Sequence, residues 1–346
     1  MVCSVCGLVR EAEPELIGAE YYRDEYALDS GDHLFHTAEG GIRRSKVFVD
    51  WIAAAAAAAQ VPIEAASVLE VGASRGHFLA AAQRRWPSAV CHGLELSASA
   101  AAEARSRGVM MLEGRLDAIP NAHYDVVCAI AVFEHVPSPT HFLSSIRRIL
   151  KPGGHAFLVQ PTQDVPSYDV LFVDHLFHFA TAHVRALAVK CGFEHLWQQV
   201  GYRFMPNFSA HVLRASGEAR AAVWPAGPAT TASEASVAGV MADMAALDSA
   251  ADQLRRDHRP FGVFGLHEVF ALARAYSRLD DAGVSVGLDD DPEKPEHRRL
   301  PFPVVHPESC TALGIRDVFL MMNRVHYAFA TERLAALGVR ALPVLR

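Results

Sequence analysis

The stretch that most limits how this chain can fold is Val68-Leu69-Glu70-Val71-Gly72-Ala73-Ser74-Arg75-Gly76-His77-Phe78-Leu79. Val68 to Val71 is an apolar, β-branched run of the kind buried in a parallel sheet. A turn of small residues then leads into the helix-compatible segment Phe78 to Arg85. Gly72 and Gly76 allow a sharp bend and a close approach to a ligand with no Cβ in the way. Strand, small-residue turn and helix together describe a nucleotide-type site. It is not the dinucleotide fingerprint, which requires a third glycine, and no P-loop lysine follows it.

Downstream, strand and helix signals alternate. Strands are expected at 89–95, 109–113, 124–131 and 155–160, and helices at 45–60, 97–107, 140–150 and 181–191. Lys151-Pro152-Gly153-Gly154 reads as a helix stop and turn. This alternation implies a parallel, doubly wound α/β sheet. At 346 residues the chain has room for two domains. Trp224 to Thr231 reads as a break, after which Val237, Val240, Met241, Met244, Leu247, Ala251 and Leu254 recur at helical spacing. Phe261-Gly-Val-Phe-Gly265 and Val284 to Leu288 then begin a smaller α/β unit. The run Asp289-Asp290-Asp291 is read as a solvated turn, since consecutive carboxylates cannot all face one ion.

A formal net charge of −7 argues against nonspecific nucleic-acid binding. No secretory signal or membrane span is read, and the six scattered cysteines suggest reduced thiols in a cytoplasmic protein, monomeric or homodimeric. Cys3-Ser-Val-Cys6-Gly7 has the spacing of one zinc knuckle. A structural zinc needs four ligands, and His33 and His36 could complete the set. With no second C-x-x-C, a degenerate knuckle with ordinary surface histidines is the simpler reading. The aromatic and charged stretch from Tyr21 to Lys46 fits either a lid over a pocket, with Tyr22, Tyr26 or Arg43 reaching a ligand, or a solvated helix face.

Carboxylates recur where strands end. Glu95 follows the glycine turn by about 20 residues, a position from which an acid can bond both ribose hydroxyls. Asp117 follows the third strand and can accept from an exocyclic amine, and Glu134-His135 follow the fourth. E-V-G-A-S-R-G-H-F-L, G-L-E-L-S, L-D-A-I-P, Y-D-V-V-C-A-I-A-V-F-E-H-V and L-K-P-G-G, in that order, resemble the motifs of class I S-adenosylmethionine-dependent methyltransferases. The resemblance implies a Rossmann-like methyltransferase core. It places Glu70 behind the turn, Gly72, Ser74 and Gly76 beside the methionine moiety, and Ala131 on the methionine side. Glu95 would hold the ribose, Asp117 with Ala118 the adenine, and Leu96 is a further cofactor-binding position. Where the family usually has the middle glycine of G-x-G-x-G, this chain has Ser74.

After the fifth strand, Asp174-His175-Leu-Phe-His178 supplies imidazoles suited to removing a proton from a hydroxyl or an acidic carbon. The whole order resembles the sugar C-methyltransferases, with an N-terminal zinc-binding segment at 1–44, a core at 45–222 and a C-terminal Rossmann-like domain at 233–346. That resemblance implies a ketosugar or nucleotide-sugar acceptor, His175 as the enolising base, Asp174 as the group orienting it, and His135 against the sugar. One cysteine pair of that family is missing, its E-H loop reads Asp174-His175, and its loop tyrosine is Phe172. The other readings are a small-molecule O-methyltransferase of natural-product biosynthesis, an inactive cofactor-binding scaffold and a dinucleotide oxidoreductase. Ser74 and Asp117 disfavour the last.

Overall fold

The computed structural model describes residues 1–12, 31–37, 40–172, 174–217, 220–225, 230–290 and 300–345. Tyr21 to Tyr26 and Asp291 to Lys294 lie outside the described residues, as does the side chain of His36. The chain divides into two compact units, Met1–Leu34 with Ile42–Ala235 and Phe35–Gly41 with Ser236–Arg346.

In the first unit the chain runs α1 (Arg44–Ala58), β1 (Ser67–Val71), α2 (His77–Arg85), β2 (Val90–Leu94), α3 (Ala98–Ser106), β3 (Met110–Leu112) and β4 (Tyr124–Ile130). It continues through α4 (Pro139–Ile149), β5 (Leu150–Pro161), α5 (Thr181–Lys190), β6 (Phe193–Tyr202) and β7 (Met205–Ala215). These strands form one seven-stranded sheet in the order β6-β7-β5-β4-β1-β2-β3. The chain winds outward from β1 through β2 to β3, then returns to place β4 on β1's other side. The carboxyl ends of β1 and β4 therefore flank the switch point, where open α/β sheets bind ligands.

The sheet is mixed rather than wholly parallel: β7 runs antiparallel to both β5 and β6. Sequence pattern does not reveal this hairpin, because β6 is half-buried along most of its length and β7 carries buried polar residues such as Ser209 and His211. The Lys151-Pro-Gly-Gly154 turn is absorbed into the start of β5, where the register against β4 slips between Tyr124 and Val126.

Burial explains why the elements pack as they do. In α4, Phe142, Leu143, Ile146 and Ile149 recur at helical spacing and face Leu69, Val127, Ala129 and Leu158 of the sheet. Pro139 occupies the first turn and Ser138 caps it, accepting from His141 N at 3.4 Å. The Ala-rich α1 buries Trp51, which stacks on Tyr202 at 5.2 Å and donates Nε1–H to Gln199 Oε1 at 3.0 Å.

The second unit carries α6 (Thr230–Arg256), β8 (Phe261–Phe264), α7 (Glu268–Tyr276), β9 (Val286–Leu288), β10 (Val304–Val305), β11 (Asp317–Leu320), α8 (Tyr327–Ala336) and β12 (Arg340–Pro343). Its sheet is parallel throughout, ordered β10-β9-β8-β11-β12, so a second, smaller Rossmann-like layer follows the first. Val240, Met244, Leu247, Ala251 and Leu254 of α6 are buried as the spacing predicts, whereas Val237 is exposed. No described helix is long and apolar enough to cross a membrane, and none of the six cysteines is in a disulfide.

Asp125 ties the amino ends of three strands together. It accepts from Ser67 N at 2.9 Å and from Lys151 Nζ at 2.8 and 2.9 Å. Burial alone would raise its carboxyl, but Lys151 and Ser67 outweigh that and hold it at about 2. A depressed carboxylate stabilises the fold above its unfolded pKa, and the contribution is lost as pH falls through the folded value. Asp125→Asn should therefore melt below the native protein at neutral pH, and the gap should close as pH approaches about 2. Circular-dichroism melts across pH measure this; a gap independent of pH would contradict it.

Candidate functional site

The turn after β1 is built from backbone bonds that converge on the end of β2. Gly72 N and Ala73 N both donate to Leu94 O, at 2.8 and 3.0 Å. Gly72, Ser74 and Gly76 have φ of +74°, +45° and +75°. Only glycine adopts this region without strain, so Ser74 is held there against its own preference. The restraint is visible: Ser74 N donates to Glu95 Oε2 at 2.8 Å, and Ser97 N to Glu95 Oε1 at 2.8 Å. Each Glu95 oxygen keeps a second lone pair for a ligand hydroxyl. Ser74 thus takes the backbone shape of the glycine it replaces.

What forbids a side chain at the two flanking glycines is protein packing. A Cβ on Gly72 would lie 2.4 Å from Val132 Cγ2, and one on Gly76 would lie 2.8 Å from the Ala104 Cβ. Gly76 therefore serves the fit of α2 against α3. Glu70 lies behind the turn, 4% exposed, and burial followed by the charge of Glu95 pushes its carboxyl well up.

On the far side of β2 the structure leaves an apolar and a polar group open. Leu96 is 43% exposed. Asp117 and Ala118 sit on a one-turn helix, Leu116–Ala118, and are also exposed. Asp117 Oδ1 accepts from Ser145 Oγ at 3.0 Å, and that hydroxyl with His141 draws its carboxyl below the usual range. Arg148 donates to Ile119 O at 2.6 Å and Leu116 O at 3.0 Å, fixing this turn on α4. Neither Ser145 nor Arg148 has any sequence signal apart from its place in an amphipathic helix.

At the carboxyl end of β4, Ala131 has φ +52° and donates N–H to Val159 O at 2.7 Å. Phe133–His135 form one helical turn, and beyond it lies a buried polar cluster: Glu134, His135, Asp169, Asp174, His175 and His178. The His135 and His175 rings meet edge-on at 4.9 Å. His135 Nδ1 donates to the Asp174 carbonyl at 2.7 Å and lies 3.8 Å from its carboxylate. Asp169 also faces His175, its Oδ2 3.9 Å from His175 Nδ1 and 3.8 Å from His178 Nδ1. Asp169 rides on the short helix Tyr168–Leu171, capped by Ser167, so the chain must turn before its side chain reaches the histidines. That turn carried the only sequence signal, Ser167 two residues ahead of an acid.

Charge states follow from this packing. Burial pushes Glu134 up to about 7, His175 partly opposing it. Burial and the neighbouring His175 take His135 down to about 4. For His175 burial pulls downward, but Asp169 and Glu134 prevail and its pKa is raised. Burial likewise opposes ionisation of Asp169, yet the imidazoles of His175 and His178 hold it well below the usual carboxylate range. The result is a basic imidazole backed by a committed carboxylate, beside an acid that titrates near neutrality.

The N-terminal segment supports this cluster. Val9 pairs with His178 and Arg10 with Phe177, and Glu11 N donates to Leu176 O at 2.9 Å. His183 Nε2 bonds Cys6 O at 2.8 Å. Cys3 is exposed and Cys6 buried. Among the described residues the groups of three donors able to hold a metal are Glu134 with His135 and His175, and Asp169 with His175 and His178; neither includes Cys3, Cys6 or His33.

Residues 42–212 match the family model described as a methyltransferase domain. The ubiquinone biosynthesis O-methyltransferase of Vibrio cholerae is 39% identical over 57 residues, 16% of this chain and 23% of that protein. The trans-aconitate 2-methyltransferase of Azoarcus sp. is 32% identical over 118 residues, 33% of this chain and 47% of that one. The chain thus spans less than half the length of either relative. A solved S-adenosylmethionine-dependent methyltransferase from Mesorhizobium loti is 16% identical, covers 48% of this chain and 97% of its own, and superposes with a TM-score of 0.40.

Gly72→Ala should destabilise the protein by about 1–3 kcal/mol, since it adds a steric clash to a left-handed backbone. Gly153→Ala, at the same φ of +74° but with nothing within 4 Å of the added Cβ, should lose less. Urea denaturation of both variants measures the difference; equal losses would mean that Val132 moves aside.

Proposed function

We propose, with residues 42–212 as a class I S-adenosylmethionine-dependent methyltransferase domain, that this chain methylates a small hydroxylated or keto acceptor using His175 as the base. A sugar or nucleotide-linked sugar is the acceptor class we favour. The observation that carries the reading is the Asp169–His175 pair, whose imidazole meets His135 edge-on just past the carboxyl end of β4, the strand that pairs with β1.

The residues present fit the cofactor. Glu95 is fixed by two backbone N–H donors yet retains acceptor capacity for ribose hydroxyls, exposed Leu96 offers an apolar face to a purine, and Asp117 offers an acceptor for its amine. Bound there, S-adenosylmethionine supplies an electrophilic methyl group on a sulfonium. Everything else falls to the chain. Asp169 faces His175 Nδ1 and favours the tautomer with its proton there, which leaves Nε2 to take a proton from the acceptor's hydroxyl or α-carbon. The oxygen or carbon so freed of its proton would be the nucleophile for that methyl group. His135, clamped by the Asp174 carbonyl, and Glu134 complete the wall against which the acceptor is oriented.

A hydroxyl acceptor outside the sugars is the second reading, favoured by the name of the Vibrio cholerae relative, an O-methyltransferase. The same base serves both. Nucleotide sugars and other small hydroxylated acceptors, screened by the mass gain of one methyl group, separate the two.

Calorimetry of the native chain should detect S-adenosylmethionine or S-adenosylhomocysteine, and Glu95→Ala should weaken that binding by roughly 10–100-fold, the worth of hydrogen bonds to a charged group. If the native chain binds neither, the methyltransferase reading fails. His175→Ala should leave cofactor affinity intact while lowering turnover on the order of 10²–10⁴-fold. Full turnover in that variant would remove His175 from the role of base and leave another base to be considered.

A further inference from the structure

Base chemistry at His175 Nε2 leaves part of the cluster unused. Among the described residues, His175 Nδ1, His178 Nδ1 and Asp169 Oδ1 are buried atoms without a hydrogen-bond partner, and so are both carboxylate oxygens of Glu134. Asp169 and His178 are 3% and 6% exposed, so bulk water does not reach them freely. Each buried polar atom left unpaired costs about 1–3 kcal/mol, and several that converge in one place point to a ligand that pairs with all of them at once. One proton cannot do this, because it satisfies a single nitrogen.

We propose that Asp169, His175 and His178 form a binding site for a divalent first-row transition-metal ion. Their donor atoms all lie within 4.8 Å of one another, with 3.8 and 3.9 Å separating the carboxylate from the two imidazoles. Donors about 2.0–2.2 Å from a tetrahedral ion stand roughly 3.4 Å apart, so the set is made by closing each carboxylate–imidazole gap by about half an ångström and the imidazole–imidazole gap by no more than about 1.4 Å. Two imidazoles and one carboxylate select a transition ion over calcium or magnesium, which prefer oxygen ligands alone. Three protein ligands leave a position open. Glu134 belongs with His135 to a second donor group that shares only His175 with the first. The outer contacts suit the role: Gln163 Nε2 donates to Asp169 Oδ2 at 3.2 Å, and strand pairing with Val9 anchors His178.

The site bears directly on the proposed base. An ion on His175 Nδ1 keeps the remaining proton on Nε2, so metal binding and proton acceptance exclude one another at this ring. Occupancy by the ion would switch the base off.

The test uses the full chain, stripped with chelator and titrated with cobalt(II) and with zinc(II). One ion should bind per chain, giving cobalt d–d absorption without the thiolate charge-transfer band that Cys3 or Cys6 would produce. Binding should survive Cys3→Ser with Cys6→Ser and weaken at least tenfold in His178→Ala and in Asp169→Asn. An absent signal, a thiolate band, or undiminished binding in His178→Ala overturns the site. The spectrum of the native chain decides even if a variant fails to fold. S-adenosylmethionine affinity, measured on the same samples, reports on the methyltransferase reading independently. Zinc should then suppress methyl transfer and chelator restore it; zinc that binds without suppressing transfer removes His175 as base and leaves the metal site standing.

Discussion

Two backbone donors, Gly72 N–H and Ala73 N–H, share one acceptor, Leu94 O, and the arrangement of the first unit follows from that convergence. It pins the ends of β1 and β2 together and forces the intervening chain through left-handed backbone at Gly72, Ser74 and Gly76. A turn this tight brings Ser74 N within reach of Glu95, whose second oxygen is taken by Ser97. The carboxylate is thereby set before any ligand arrives, which reduces the ordering that binding must otherwise supply. Ser74 tolerates its strain because the N–H bond and the surrounding packing over-determine it.

Across the switch point the physics is of the opposite kind. The polar groups after β4 are under-paired, and they remain so in a buried setting where unpaired groups are costly. The sheet bears this because its interior is well filled elsewhere: Leu69, Val127, Leu158, Leu143 and Ile146 are all fully buried. A stable, mostly apolar sheet holds a strained turn and an unsatisfied polar cluster side by side. Strain and unpaired polarity both concentrate at the carboxyl edge, where function in this class of sheet resides.

Much of this is legible along the chain. Runs such as Val68–Val71 and Tyr124–Ile130 are apolar because both faces of a parallel sheet are covered, so their strands stand out. The stripe of α6 and the face of α4 are equally plain. Glu95 and Asp117 announce themselves by following strand ends. The β6–β7 hairpin does not: half-burial and interior polar residues such as His211 and Ser209 blur the alternation that marks an antiparallel strand. Asp169 was hidden for another reason. Asp174 adjoins His175 in sequence and drew the reading to itself, whereas Asp169 lies six residues earlier and reaches the histidines only through the fold.

The sequence by itself determined the α/β class, the positions of the parallel strands and the residues available at their ends, because periodicity and strand-end chemistry are local properties. Tertiary structure alone decided which carboxylate meets which imidazole, since that depends on how the short helix Tyr168–Leu171 and the Phe177–His178 strand are folded back onto the end of β4. It also decided why the glycines are glycine: Val132 and Ala104, remote in the chain, occupy the space a side chain would need. Local pattern fixes what each segment can be, and only packing in three dimensions fixes what each side chain faces.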